Sequence, residues 1–107
     1  MGVTKTQIFN AKQNNLATIF KVLANPARIA ILEYISSQKF CICNDIVEEI
    51  GLAQPTISQH LKELKSIGLI KGEIEGKKVC YCIHLENFLE IQHLLNTFFN
   101  TTKSNCC

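Results

Sequence analysis

Gln54-Pro55-Thr56-Ile57-Ser58-Gln59-His60-Leu61-Lys62-Glu63-Leu64 is the stretch that decides the fold. Ile57, Leu61, Leu64 and Ile67 recur at helical spacing, while Thr56, Ser58, Gln59, Lys62 and Lys65 fall mainly on the other face. The pattern predicts an amphipathic helix with Gln54 near its cap, Pro55 at its first position and Gly68 as its stop. Upstream, Asn44 caps a short helix that carries Ile46, Val47 and Ile50 inward and ends at Gly51, leaving a three-residue turn, Gly51-Leu52-Ala53. Downstream the period changes to two. Leu69 to Ile74, a turn at Glu75-Gly76, and Lys77 to Ile83 read as a hairpin. Its alternation puts Val79, Tyr81 and Ile83 on one face and Cys80 with Cys82 on the other.

Working outward, Thr6 to Ala24 suits an amphipathic first helix. Asn25-Pro26 is a cap followed by a helix-starting proline, and the second helix runs to about Ser37 with Ile29, Ile31, Leu32 and Ile35 on its apolar face. Phe88, Leu89, Ile91, Leu94, Leu95, Phe98 and Phe99 build an apolar last helix, followed by a polar tail from Asn100 to Cys107. Four helices, a hairpin and a closing helix predict a mainly α fold with a small β-hairpin wing, a winged helix-turn-helix. The 107 residues make one domain: an ordered core over 6–100 and a flexible, cysteine-ending tail over 101–107. The closing helix is too apolar for one small domain, so it and the first helix are expected to form a homodimer interface.

Composition narrows the function. At 47% hydrophobic residues the chain can bury a core, but it is too short for two catalytic lobes. No apolar run approaches the roughly 20 residues of a membrane span, and residues 1–15 lack an export signal, so a cytoplasmic protein with no membrane partner is expected. The +2 charge is nearly neutral, and residues 51–83 hold five lysines against three glutamates. An enzyme is not expected, for want of a Cys-x-x-Cys pair, an acid/base cluster and room for a pocket. The six cysteines form three close pairs, Cys41 with Cys43, Cys80 with Cys82, and Cys106 with Cys107. In a reducing compartment such pairs point to metal binding or redox chemistry.

Several segments together resemble the ArsR/SmtB family of winged-helix, metal-sensing repressors. Leu23-Ala24-Asn25-Pro26-Ala27-Arg28-Ile29-Ala30-Ile31-Leu32 is similar to its second helix, and Phe40-Cys41-Ile42-Cys43-Asn44-Asp45-Ile46 to its metal box. The Gln54–Leu64 stretch is similar to its recognition helix, and Gly76-Lys77-Lys78-Val79-Cys80-Tyr81 to its wing. The resemblance covers residues 15–83 and implies a dimeric repressor on double-stranded operator DNA. Gln54, Thr56, Ser58, Gln59, His60 and Lys62 then offer groups for base edges and phosphates, and Lys77 and Lys78 groups for phosphates. For His60 a polar surface role is as open as a base contact, and the two wing lysines could equally serve solubility.

The metal box implies an inducer bound by Cys41 and Cys43, whose position near a helix start favours thiolate. As(III) or Sb(III) is the first expectation, with Cd(II), Pb(II) or Zn(II) as alternatives and no organic cofactor. The arsenic-type box has a third cysteine where this chain has Ile46, and the cadmium-type recruits N-terminal cysteines, which residues 1–40 lack. Because As(III) favours three sulfurs, Cys106 or Cys107 is the expected completion, in its own or the partner subunit. Cys80 and Cys82 are left open among a second soft-metal site, a redox pair and plain substitution, and are not expected as primary ligands. The family's last-helix zinc site is not expected, because Leu85, Asn87 and Phe98 stand near its positions and His84 and His93 do not restore the spacing. A thiol redox switch within Cys41–Cys43 or Cys80–Cys82 is the competing reading.

Overall fold

The computed structural model describes residues 8–42 and 45–103. The expected cap Asn44 and three of the expected ligands, Cys43, Cys106 and Cys107, lie outside the described residues.

Helix α1 spans Ala11–Leu23 and starts later than the apolar pattern suggested. The cause is local: Asn10 Oδ1 accepts from the Gln13 amide at 2.8 Å, and Gln13 Oε1 accepts from the Asn10 amide at 3.0 Å. This reciprocal box fixes the first turn and leaves Ile8 and Phe9 outside it, both exposed. Leu16, Ile19 and Val22 face inward. Helix α2, Pro26–Ser37, begins where Asn25-Pro26 predicts, with Asn25 Oδ1 accepting from the amides of Ala27 at 2.9 Å and Arg28 at 3.3 Å. Its Ile31 and Ile35 are buried, whereas Ile29 stays exposed.

Helix α3, Asp45–Ile50, ends at Gly51, and helix α4 occupies Gln54–Ser66. The cap of α4 is Ala53, which offers no side-chain bond, so Gln54 is already its first residue and Pro55 its second. Ile57, Leu61 and Leu64 lie in the core. After α4 the chain turns through Gly68 at φ +83°, closed by Gly68 N–H to Lys65 O at 3.0 Å and Leu69 N–H to Leu64 O at 3.2 Å. A side chain at Gly68 would also strike Asn87, whose Nδ2 would lie 2.9 Å from an added Cβ.

Strands β1, Ile70–Glu75, and β2, Lys78–Ile83, pair antiparallel from Ile70 opposite Ile83 to Glu75 opposite Lys78. The turn is therefore Gly76-Lys77, one residue later than expected. Gly76 takes φ +63° there, which a two-residue hairpin turn requires at its first position. Helix α5, Leu85–Lys103, continues helically beyond Asn100. Among the described residues no helix is long and apolar enough to cross a membrane.

The core joins Ile19 and Val22 of α1, Ile31 and Ile35 of α2, Ile46 of α3, three α4 residues, Leu69, Ile70 and Ile91. Each such burial contributes about 1.5–3 kcal/mol, which holds α4 and the hairpin in one orientation. Beyond this core, Phe20 of α1 meets Phe98 and Phe99 of α5 edge-on at 6.0 and 6.3 Å between ring centres. Among the described residues Leu85, Leu89 and Phe99 remain mostly exposed, so α5 presents an apolar face.

Candidate functional site

Burying Ile57, Leu61 and Leu64 turns the opposite side of α4 to solvent, and Gln54, Thr56, Ser58, Gln59 and Lys62 are all exposed on it. Two pairs of polar groups are braced along the helix. The Gln54 amide donates to Ser58 Oγ at 3.1 Å, and the Gln59 amide donates to Glu63 Oε2 at 3.2 Å. Spacing of four residues makes such pairs neighbours on one face. His60 differs from the rest. It is half-buried, and its Nδ1 accepts from Arg28 Nε at 3.0 Å while Arg28 Nη1 donates to the Val22 carbonyl at 3.1 Å.

Lys77 and Lys78 are exposed at the hairpin tip. Lys78 and Val79 also border a cleft of about 250 Å³ against Gln54 and Ser58, so wing and α4 share one polar, basic surface. On the wing, Lys71 and Glu73 form an ion pair at 3.3 Å, about half exposed and so worth little to stability. Tyr34 of α2 faces the acidic α3. Desolvation first, then Asp45, Glu49 and Glu48, hold its phenol above the usual 10.0.

Among the described cysteines there is a pairing that the sequence reading did not anticipate. Cys41 is joined to Cys82 by a disulfide across 41 residues, with the two Cα atoms 4.5 Å apart. A β-bridge beside them explains the contact: Ile42 and Tyr81 exchange both backbone hydrogen bonds, each at 2.8 Å. That bridge ties the α2–α3 connection to the wing strand and brings neighbouring side chains face to face. The Glu73 carboxylate lies within 4.8 Å of both sulfurs. Cys80, two residues along the same strand face, is fully buried with its Sγ 3.3 Å from Glu75 Oε2.

Cys82 was not expected as a primary ligand, yet it is the described cysteine that Cys41 meets. The pairing is non-local, and its one sequence signal was that Cys41-x-Cys43 and Cys80-x-Cys82 share the two-residue period of an extended strand. Once reduced, two polarizable sulfurs with a nearby carboxylate suit a soft, thiophilic ion better than a hard one such as Mg(II). Arg28 was also missed as a functional residue, although it stands in the helix-two motif.

Comparison with known proteins places these features. The family described as "Bacterial regulatory protein, arsR family" matches residues 25–71. An arsenical resistance operon repressor of Staphylococcus xylosus is 35% identical over 91 residues, covering 85% of this chain and 86% of that protein. A homologue of the cadmium resistance transcriptional regulatory protein in Staphylococcus aureus is 34% identical, covering 77% of this chain and 61% of that protein. Among solved structures, the homodimeric winged helix-turn-helix DNA-binding domain of a possible ArsR-family regulator from Mycobacterium bovis superposes with a TM-score of 0.64. It is 27% identical, and the match covers 82% of this chain and 81% of that one.

Proposed function

The chain belongs to the arsR family of bacterial regulatory proteins, DNA-binding regulators rather than enzymes, and from that membership we propose that it is a homodimeric repressor released from DNA by a thiolate-bound soft ion. It acts in the cytoplasm on double-stranded operator DNA. Helix α4 enters the major groove with Gln54, Thr56, Ser58 and Gln59 towards base edges, Lys62 holds a phosphate, and Lys77 and Lys78 of the wing hold the flanking backbone. His60 joins this surface from its α2-facing position. The apolar face of α1 and α5 is the dimer contact, which sets two copies of α4 about one helical turn of DNA apart.

As(III) or Sb(III) is the inducer this reading favours, with Cd(II), Pb(II) or Zn(II) as the alternative that the cadmium-resistance relative keeps in play. Thiolates of Cys41 and Cys43 would hold the ion, completed by Cys106 or Cys107. The observation that carries the reading is the place of Cys41: it precedes α3, the helix that packs beside α4, so an ion bound there acts on the reading helix through one packed element. A coupling of about 1–3 kcal/mol weakens DNA binding from several-fold to a hundredfold.

The Cys41–Cys82 disulfide favours a second reading, in which oxidation rather than an ion releases DNA. One experiment tests the DNA-binding core of both. Selection from a random duplex pool with reduced protein should return a two-fold symmetric site bound by a dimer. Recovery of unrelated sequences, with no enrichment, would refute it. Release of the selected duplex by peroxide but not by arsenite would favour the redox reading.

A further inference from the structure

We propose that Cys82 of the wing strand is an ion ligand, and that Cys41 and Cys82 together form a dithiol chelate for a trivalent arsenical. The inference deepens the inducer reading above and rests on it. Its warrant is geometric. The two sulfurs are already in contact, their Cα atoms are 4.5 Å apart, and the Ile42–Tyr81 bridge fixes the backbones that carry them. The pair needs no rearrangement of the chain to hold a common atom. Both cysteines are only partly buried and border a cleft of about 450 Å³ between Phe40, Ile83 and Leu85, so an ion can reach them from solvent. The Glu73 carboxylate beside them adds an oxygen donor at the same place.

The chemistry balances simply. Two equivalents of a cellular thiol reduce the disulfide, together giving up two electrons and two protons and joining as one disulfide. Each resulting thiol then displaces one hydroxide of arsenous acid: an S–As bond forms, an As–O bond breaks, and the thiol proton leaves with that oxygen as water. Arsenic stays trivalent throughout. The ion would then join the α2–α3 connection to β2, and β2 continues from the tip that carries Lys77 and Lys78. The ion thereby acts on the wing as well as on α3.

The probe is phenylarsine oxide, which bonds two thiols and releases one water. A variant retaining only this pair, Cys43→Ser/Cys80→Ala/Cys106→Ser/Cys107→Ser, is reduced with a phosphine and titrated. One equivalent per chain should bind, and adding Cys82→Ser should weaken binding on the order of 100-fold, the low end of the roughly 10²–10⁴ advantage of two-point attachment. Equal binding with and without Cys82 would overturn the proposal. Should that variant fail to fold, Cys82→Ser in the otherwise intact chain decides: weaker arsenite binding supports the chelate, and unchanged binding overturns it. Failures are separable. Release by arsenite that ignores Cys82 sinks the chelate alone, whereas arsenite bound at Cys41 and Cys82 with no change in DNA affinity sinks the inducer reading alone.

Discussion

Arg28 and His60, 32 residues apart, meet through a single hydrogen bond of 3.0 Å from Nε to Nδ1, and that bond locks helix α2 to the side of α4. The same guanidinium closes the end of α1 through the Val22 carbonyl. One arginine therefore sets the angle at which three helices meet behind the polar face of α4. Arg28→Ala should destabilise the fold by about 1.5–3 kcal/mol, the usual range for a hydrogen bond to a charged group. Urea unfolding checks it. Arg28→Lys should recover only part of the loss, because a single ammonium does not reproduce the fork.

The start of α2 offers a purely local test. Asn25→Ala removes the acceptor for two backbone amides and should lower stability by about 0.5–2 kcal/mol, while Asn25→Asp should retain most of it. Thermal melts of the two variants separate these outcomes. A wild-type melt for Asn25→Ala would show that the cap contributes nothing.

DNA contacts divide by their salt response. If Lys62 holds a phosphate in each subunit, Lys62→Ala should weaken binding to all duplexes alike and lower the slope of log affinity against log salt by roughly 2, about 0.9 per phosphate. Gln59→Ala should instead relax preference at particular base pairs, by about 1–3 kcal/mol each, with the slope nearly unchanged. Titrations at several salt concentrations distinguish the two roles.

Assembly through the aromatic cluster is testable by charge. Phe99 is exposed while in edge contact with Phe20, so Phe99→Glu should leave the monomer folded and raise the dimer dissociation constant by at least about tenfold. Sedimentation equilibrium reads it, and an unchanged dimer would exclude α1 and α5 as the interface.

These residues also show why some of the molecule was legible in its sequence and some was not. Asn25-Pro26, Gly51 and Gly68 act within a turn of their own position, so their helix boundaries follow from chemistry a few residues wide. Residue period likewise separated the hairpin from α4. Errors arose where a neighbouring competitor won. Asn10 with Gln13 captured the start of α1 from the apolar residues before it, and Gly76 drew the hairpin turn one residue onward. Cys82 was out of reach for a different reason. Its partner lies 41 residues away, and the Ile42–Tyr81 bridge, a tertiary event, sets their backbones side by side. Arg28 escaped notice because its partner, His60, is equally remote in the chain.

The central claim, that a soft ion on cysteine thiolates controls DNA binding, meets its most direct test in one titration. Reduced wild-type protein and a Cys41→Ser variant are each bound to the selected duplex, and anisotropy is followed as arsenite is added. The account predicts that the wild-type dissociation constant rises about 5- to 150-fold while the variant stays bound. A wild-type protein indifferent to saturating arsenite, or a variant released as readily as the wild type, would contradict it.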